Sequence, residues 1–325
     1  MAMLKPRRRL VISLLIVTAI VPAVLFGQLP GDSLLWRELQ NAGHIPLFGV
    51  LALAILCILR EVSTAARKRP LVEYLVAGFI SLAAGIAIEF GQLITHRDPA
   101  SADVMRDLAG IVAGLGIYAA VDPRMQSVWH KLHRGLRTAS VALACLLLLG
   151  SLLPLAQLAI AGMQREQAFP VIIDFTARWS KAFMQLNHAA LTQVTPPEAW
   201  TSAPGSRMAR LTLYPAQYPG VAIVEPSPDW AAFETLTFAV YSREPEPVDL
   251  VLRVHDKLHN QILSDRFNQR LTVKRGENRF RIPLAAIQNA PADRSMELSR
   301  IAELILFATD IVDPVDLYLD KMRLE

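Results

Sequence analysis

The sequence predicts an α-helical membrane bundle of about five transmembrane helices, followed by an all-β sandwich domain. Long apolar runs fill residues 10–162, whereas charged residues, prolines and alternating apolar residues dominate from Arg165 onward. Most of the runs approach the length that a helix needs to cross a ~30 Å hydrocarbon core. The chain therefore contains domains of two classes, and we predict a transmembrane domain over 1–162, a connector over 163–199 and a β-sandwich over 200–325.

Five apolar runs predict the transmembrane helices, and they cover residues 10–27, 44–59, 71–95, 104–121 and 138–162. The first run follows Lys5, Arg7, Arg8 and Arg9, a pattern that also fits a signal peptide. No small-residue cleavage site of the A-x-A type stands out after this run, so we predict a retained first helix. Cys57 and Cys145 both lie within apolar runs, which excludes a disulfide framework and a cysteine metal motif.

Basic residues between the runs predict the orientation of the helices in the membrane. Arg60, Arg67, Lys68 and Arg69 follow the second run, and Arg124, Lys131, Arg134 and Arg137 follow the fourth. The loops after the first and third runs carry essentially Arg37 and Arg97. Because cytoplasmic loops collect lysine and arginine, we predict a cytoplasmic N-terminus and an exported C-terminal domain. Topology thus accounts for the net charge of +4, and we expect no nucleic-acid partner.

Two of the predicted helices carry polar stripes. The third run places Gly78, Ser81, Gly85, Glu89, Gln92 and His96 on one helical face, and the fourth places Asp103, Asp107, Gly110 and Gly114 on another. We predict that these two faces pack together, with Arg97 and His44 at the same membrane boundary. The cluster has two interpretations: polar contacts that join helices, or a site for a lipid headgroup phosphate, proton transfer or acid/base chemistry.

Residues 89–114, E-F-G-Q-L-I-T-H-R-D-P-A-S-A-D-V-M-R-D-L-A-G-I-V-A-G, resemble the signature of VanZ-like membrane proteins. The resemblance covers roughly residues 1–125. The matching positions are Glu89, Gln92, Arg97, Ser101, Asp103, Gly110 and Gly114, and His44 looks like the histidine that begins an earlier helix in that family. Asp107 departs from the pattern, which has asparagine there. The resemblance implies a multi-pass protein of the bacterial inner membrane and attaches no reaction to it.

The second half of the chain shows a change of periodicity. Phe175, Trp179, Phe183, Leu186 and Ala190 recur at helical spacing, which predicts an amphipathic helix in the connector. Alternating or short apolar runs then predict strands at 208–214, 236–241, 250–254, 270–273, 279–283, 302–307 and 317–324. Short strands at this regular spacing, separated by turn residues, are typical of a sandwich.

Residues 276–284 and 316–324, G-E-N-R-F-R-I-P-L and D-L-Y-L-D-K-M-R-L, resemble galactose-binding-like jelly rolls of the carbohydrate-binding-module kind. Such domains often stack aromatic rings on sugars. The aromatic candidates here are Trp200, Trp230, Tyr241, Tyr214 and Tyr218. The resemblance also leaves open a structural Ca²⁺ bound by Asp256, Asp265 or Asp320, although no EF-hand spacing is present and solvated turn acids explain these residues better. We expect no other cofactor and no other metal.

These observations lead to one leading hypothesis and two alternatives. The leading hypothesis is a cell-envelope membrane protein that recognises an envelope glycan or a lipid-linked glycan, with membrane lipids as partners. The first alternative is an integral-membrane enzyme acting on a phosphorylated lipid carrier, with acid/base chemistry from Glu89, Asp103, Asp107 or His44. The second is a structural envelope scaffold. Because Ser101 is the cluster's single hydroxyl nucleophile, the sequence favours binding over catalysis.

Overall fold

A computed structural model describes residues 6–26, 31, 33–62, 69–92, 101–132, 135–196, 200, 207–226 and 229–325. The chain forms two compact units, Met1–Gln157 and Leu158–Glu325. The first is helical and the second is built mainly of β-strands. A helical N-terminal half and an all-β C-terminal domain are therefore confirmed.

The helices coincide with the apolar runs. They are α1 (Pro6–Phe26), α2 (Leu34–Val62), α3 (Pro70–Gln92), α4 (Ser101–Val121), the short α5 (Gln126–Lys131) and α6 (Gly135–Ala168), whose last turns belong to the second unit. Among the described residues, α2, α3, α4 and α6 are long and apolar enough to cross a membrane. The first run is helical as α1 but is not one of these four, so the count of five spans stays a prediction.

Helix α2 lies against α1, α3 and α4 in the first unit. Its fully buried side chains include Phe48, Leu51 and Leu56, and they share one apolar core with Ile111 of α4 and Tyr74 of α3. Leucine, isoleucine and alanine dominate these segments, so propensity and burial both favour helix.

The GxxxG motif of α4 packs on α2, whereas the sequence analysis predicted that it would face α3. A Cβ atom on Gly114 would lie 2.8 Å from the Gly49 Cα, and one on Gly110 would overlap the Ile45 carbonyl oxygen. The two backbones thus approach as closely as small-residue motifs allow. Helix α3 meets a second face of α4, where a Cβ on Gly85 would lie 2.8 Å from Asp107 Oδ2. Helix α4 therefore packs against both α2 and α3, whereas one polar stripe in the sequence indicates only one packing face.

The second unit contains eleven strands in the described part of the chain. They are β1 (Val171–Asp174), β2 (Met184–Asn187), β3 (Ala189–Val194), β4 (Met208–Leu213), β5 (Gly220–Val224), β6 (Thr235–Ser242), β7 (Val248–Asp256), β8 (Phe267–Val273), β9 (Gly276–Pro283), β10 (Ile301–Ala308) and β11 (Val315–Leu324). A short helix, α7 (Leu284–Gln288), follows β9. All seven strands predicted from the alternating pattern are present.

The strands form two antiparallel sheets with jelly-roll topology. One sheet has the order β3-β4-β11-β6-β9, with β1 also paired to β11, and the other has the order β2-β5-β10-β7-β8. From β4 to β11 the strands follow the paired Greek keys of a jelly roll, because successive connections cross between the sheets except at the β7–β8 hairpin. Val240 and Leu319 of one sheet, and Leu252 and Leu306 of the other, are among the buried side chains of the core. The predicted jelly-roll sandwich is confirmed.

The predicted amphipathic helix of the connector is wrong. Residues 171–194 form β1, a 3-10 helix over Trp179–Phe183, β2 and β3. The buried pair Trp179 and Phe183 produces a four-residue spacing within that single 3-10 segment, whereas Leu186 belongs to a strand. The apparent helical period thus arises from three different elements. Because the second unit begins at Leu158, this segment is part of the β domain.

Candidate functional site

The predicted polar cluster of the helical unit centres on His44 and Asp107. His44 Nδ1 of α2 lies 2.9 Å from Asp107 Oδ1 of α4, and both side chains are buried. The absence of a side chain at Gly85 leaves room for the Asp107 carboxylate between the helices. The imidazole also stacks parallel to the Phe48 ring, with centroids 6.3 Å apart. This packing fixes the orientation of a group that can accept or donate a proton.

The other predicted members of this cluster have different outcomes. Glu89 of α3 is buried, and Asp103 forms an ion pair with Arg106 on its own helix. Gln92 and Ser101 end α3 and begin α4, but their side chains, and the whole of Arg97, lie outside the described residues. Within the described ranges, no group of three or more His, Cys, Asp or Glu residues could hold a metal ion.

A second buried polar cluster, which we call the Arg60 cluster, was missed by the sequence analysis. Arg60 Nε lies 3.0 Å from Glu73 Oε2, and its Nη2 lies 2.5 Å from Asp122 Oδ2. The Tyr74 hydroxyl donates to the same Asp122 oxygen at 2.9 Å, and the guanidinium lies over the Tyr74 and Tyr118 rings. These contacts join the end of α2, the start of α3 and the end of α4.

The Arg60 cluster lies at the opposite end of α2, α3 and α4 from His44 and Asp107. Glu73 precedes Glu89 by sixteen residues of the same helix, about 24 Å at 1.5 Å per residue. This separation approaches the thickness of a bilayer's hydrocarbon core. The sequence does contain a signal for this cluster. Arg60 and Asp122 directly follow the second and fourth apolar runs, and Glu73 and Tyr74 lie near the start of the third.

The outer face of the five-stranded sheet carries a groove of about 570 Å³, which we call the sheet groove. Its floor comes from Gly220 and Ala222 of β5 and from Ile305 of β10. A Cβ atom on Gly220 would lie 2.6 Å from the Phe307 Cα, so the close pairing of β5 with β10 requires glycine there. Because β5 contributes only Gly220 and Ala222 to the groove, the sheet leaves space for a ligand.

Aromatic rings and amides line one side of the sheet groove. The Tyr218 ring is 52% exposed and packs edge-on against Phe307, with centroids 5.9 Å apart. Asn187 donates a hydrogen bond from Nδ2 to the Tyr218 carbonyl oxygen at 2.7 Å, which holds the Tyr218 backbone beside β2. Gln185, also on β2, lines the same side. The groove thus presents an exposed aromatic ring next to hydrogen-bonding groups.

Basic side chains line the other side of the sheet groove. Arg253 belongs to β7, and Arg266 directly precedes β8. Arg253 Nη2 lies 3.5 Å from His259 Nε2, and His259 packs against the ring of His255 with centroids 4.7 Å apart. Burial, followed by the charge of Arg253, lowers the pKa of His255 to about 4, so this imidazole is neutral at pH 7.

Three of the predicted sugar-binding aromatics pack against neighbouring groups of the domain and do not line the sheet groove. Trp230 is fully buried, and its Nε1 donates to the Pro226 carbonyl oxygen at 3.0 Å, so this ring presents no exposed face for stacking on a sugar. Tyr241 is also buried, between Tyr318 and Trp200. Trp200 packs against Tyr241 with centroids 5.4 Å apart. Of the five aromatic candidates, Tyr218 is the one that lines the sheet groove.

Two of the three acids considered as Ca²⁺ ligands bind an arginine, and the third lies on a strand. Arg294 binds Asp256 through Nη1 and Nη2 at 2.6 and 2.7 Å, and it binds Asp265 through Nε at 2.6 Å. The hydrogen bond from Arg294 lowers the pKa of Asp265 to about 2. For Asp256 the same bonds outweigh burial and also lower the pKa. Burial raises the pKa of Asp320, which lies on β11. A structural Ca²⁺ stays a prediction.

Comparison with known proteins gives matches at the level of solved structures. No protein-family model matches the chain, and no curated protein matches it. An exo-β-agarase matches with a TM-score of 0.38 at 18% identity. That match covers 48% of this chain and only 24% of the agarase. A family 11 carbohydrate-binding module from Clostridium thermocellum, in complex with a β-1,3-1,4-mixed-linked tetrasaccharide, matches with a TM-score of 0.36 at 12% identity. That match covers 47% of this chain and 93% of the module.

Proposed function

We propose that this protein is a membrane protein of the bacterial cell envelope whose β domain recognises a glycan in the sheet groove. The observation that carries the proposal is the composition of this groove, in which the exposed Tyr218 lines the same space as amide and guanidinium groups, above a floor that includes Gly220 and Ala222. A pyranose offers an apolar face that stacks on an aromatic ring and hydroxyls that need donors and acceptors. The groove supplies both kinds of contact.

The helical unit serves in this proposal as a multi-pass anchor of the VanZ-like type in the inner membrane. Four long apolar helices and the distribution of lysine and arginine support it, with the N-terminus in the cytoplasm and the β domain in the periplasm or outside the cell. The sheet groove then meets envelope glycans or the glycan of a lipid-linked precursor, and membrane lipids surround the helices.

One observation favours a second candidate function, an integral-membrane enzyme acting on a phosphorylated lipid carrier. The buried contact between His44 and Asp107 orients an imidazole for proton transfer, as catalytic acid/base pairs require. Arg97, proposed to steady the phosphate, and Ser101, the lone hydroxyl, complete this candidate. Glycan binding without turnover separates the first function from the second, and release of inorganic phosphate from an undecaprenyl pyrophosphate probe would support the second.

The test of glycan recognition uses the full chain in lipid nanodiscs on an array of neutral and acidic envelope and plant-type polysaccharides. We expect Tyr218→Ala to weaken binding of any captured glycan about tenfold or more, since losing a buried stacking contact costs on the order of 1.4 kcal/mol or above. The matched control is Tyr214→Ala, because Tyr214 is 44% exposed and does not line the sheet groove. Equal binding by wild type and Tyr218→Ala, or no binding to any glycan, would overturn the proposal.

A further inference from the structure

We infer that the glycan recognised in the sheet groove carries an acidic group, a carboxylate, sulfate or phosphate ester, and that Arg253 and Arg266 bind it. This inference rests on the proposed function and specifies the class of its ligand. It starts from the two guanidinium groups that line the same side of the groove.

The two arginines lack carboxylate partners in the part of the chain that the structure describes. Neither belongs to an ion pair within 4 Å there, and the buried Nε atom of each has no hydrogen-bond partner. Glu303 of β10 lies 3.7 Å from His255 Nε2, and its charge acts on Arg253 only from beyond the distance of an ion pair. Both side chains are half-buried, and a buried N–H donor without a partner is costly, because its water is removed without replacement. Two such groups in one groove therefore need an explanation.

Other arginines of the domain show that carboxylates are available in the fold. Arg294 binds two of them, Asp256 and Asp265, and the exposed Arg270 of β8 lies 3.8 Å from Asp249. Burial and the nearby charge of Arg266 together lower the pKa of Arg253, which reflects a repulsion that an anion between them would relieve. Among the described residues, these other arginines are thus paired with carboxylates, whereas the two arginines of the groove are not.

A bound acidic group would satisfy the free donors of the groove. Arginine forms paired hydrogen bonds to carboxylate, sulfate and phosphate oxygens, which are stronger than bonds between neutral groups. His255 is neutral at pH 7 and competes for no anion, whereas His259 holds Arg253 through its Nε2 atom. A neutral sugar would leave both guanidinium groups desolvated without an anion, so the groove disfavours it.

The experiment measures binding of matched oligosaccharides to the full chain in lipid nanodiscs. The probes are a galacturonate hexamer, a sulfated galactan hexamer and a phosphorylated mannan hexamer, each with its neutral counterpart, and inorganic phosphate alone. We expect at least one acidic probe to bind tenfold or more tightly than its counterpart, with a preference that weakens as salt increases. The double variant Arg253→Gln/Arg266→Gln should lose this preference and keep its neutral affinity. Arg270→Gln, on the same sheet but ion-paired, should keep the preference.

Three results would overturn the inference. The first is equal affinity for acidic and neutral counterparts, and the second is an acidic preference that survives in the double variant. The third is inorganic phosphate binding as tightly as the best acidic glycan, which would indicate a free-anion site. In each case, a glycan on the wider array whose binding depends on Tyr218 would leave the proposed function standing. Thermal unfolding of each variant, matched to wild type, excludes loss of folding as the cause.

Discussion

His44 Nδ1 and Asp107 Oδ1 lie 2.9 Å apart and connect α2 to α4 where both side chains are buried. Replacing Asp107 by leucine leaves the imidazole without its partner, and we expect a loss of about 1–3 kcal/mol in the free energy of unfolding. Asp107→Asn keeps an acceptor at the same place and should lose much less. Unfolding of the full chain in detergent measures both. Equal losses for leucine and asparagine would contradict a role for the contact in holding the helices.

The approach of α4 to α2 predicts a strong position dependence for added methyl groups. Gly110→Ala places a Cβ on the Ile45 carbonyl oxygen, and we expect it to destabilise the helical unit by about 1–3 kcal/mol. Gly43→Ala on α2 is the control, because no described atom lies within 4 Å of its new Cβ. Alanine there should stabilise the helix by up to about 1 kcal/mol. Denaturant titration in detergent compares the two, and a harmless Gly110→Ala would rule out close packing at this point.

The Arg294 contacts predict how the β domain responds to acid. Asp265 has a pKa of about 2 in the folded chain against an ordinary value of 3.8, so the unfolded state binds its proton first as the pH falls. The stabilisation is complete above about pH 4 and disappears as the pH falls through 2. Asp256, whose pKa is also lowered, acts in the same direction. Tryptophan fluorescence during unfolding between pH 5 and 2 follows the effect.

Arg294→Gln tests the origin of that acid dependence. The variant should unfold at a lower temperature at pH 7 and lose stability less steeply below pH 4, because the two carboxylates no longer have a cation to bind. Arg300→Gln is the control, since Arg300 is exposed and its ion pair is with Glu297, one turn away. An unchanged slope in Arg294→Gln would assign the acid dependence to other groups.

The proposed membrane topology, with a cytoplasmic N-terminus and an exported β domain, predicts two reporter outcomes. Alkaline phosphatase fused after Gly162 should be active, because this enzyme folds only outside the cytoplasm and the last long helix exports the residues C-terminal to it. The same enzyme fused after Arg67 should be inactive, since Arg60 and Arg67 favour a cytoplasmic position for that loop. A green fluorescent protein fusion at each position gives the complementary signal. Phosphatase activity only after Arg67 would invert the orientation.

The strands were predictable wherever burial alternates along the chain. Residues of β6 and β7 alternate between the core and the outer face over most of their length, and the sequence shows that period directly. Strand β5 begins with Gly220 and lacks large outward residues, so its pattern is weak. The connector was misread because Trp179 and Phe183 lie in a 3-10 segment whose spacing imitates an α-helix. Local periodicity alone could not distinguish this 3-10 segment and its flanking strands from an α-helix.

The candidate sites depended on tertiary neighbours that spacing does not show. Glu89 and Asp107 were found because an acid within an apolar run is conspicuous. Arg60 was counted only as a loop charge, since its partners Glu73 and Asp122 lie on other helices. Arg253 and Arg266 look like ordinary surface arginines in the sequence. What distinguishes them is that neither forms an ion pair within 4 Å in the described structure, which becomes visible only after folding.

Strand β9 is an edge strand of the larger sheet, and charged side chains along it bear on whether neighbouring copies can pair there. Glu277, Arg279 and Arg281 project from it and are ion-paired with side chains of their own domain, and the strand closes with Pro283. Charged side chains and proline prevent another chain from adding to an open sheet edge. If the domain is anchored to a membrane as proposed, copies concentrated in two dimensions would therefore resist edge-to-edge pairing through β9.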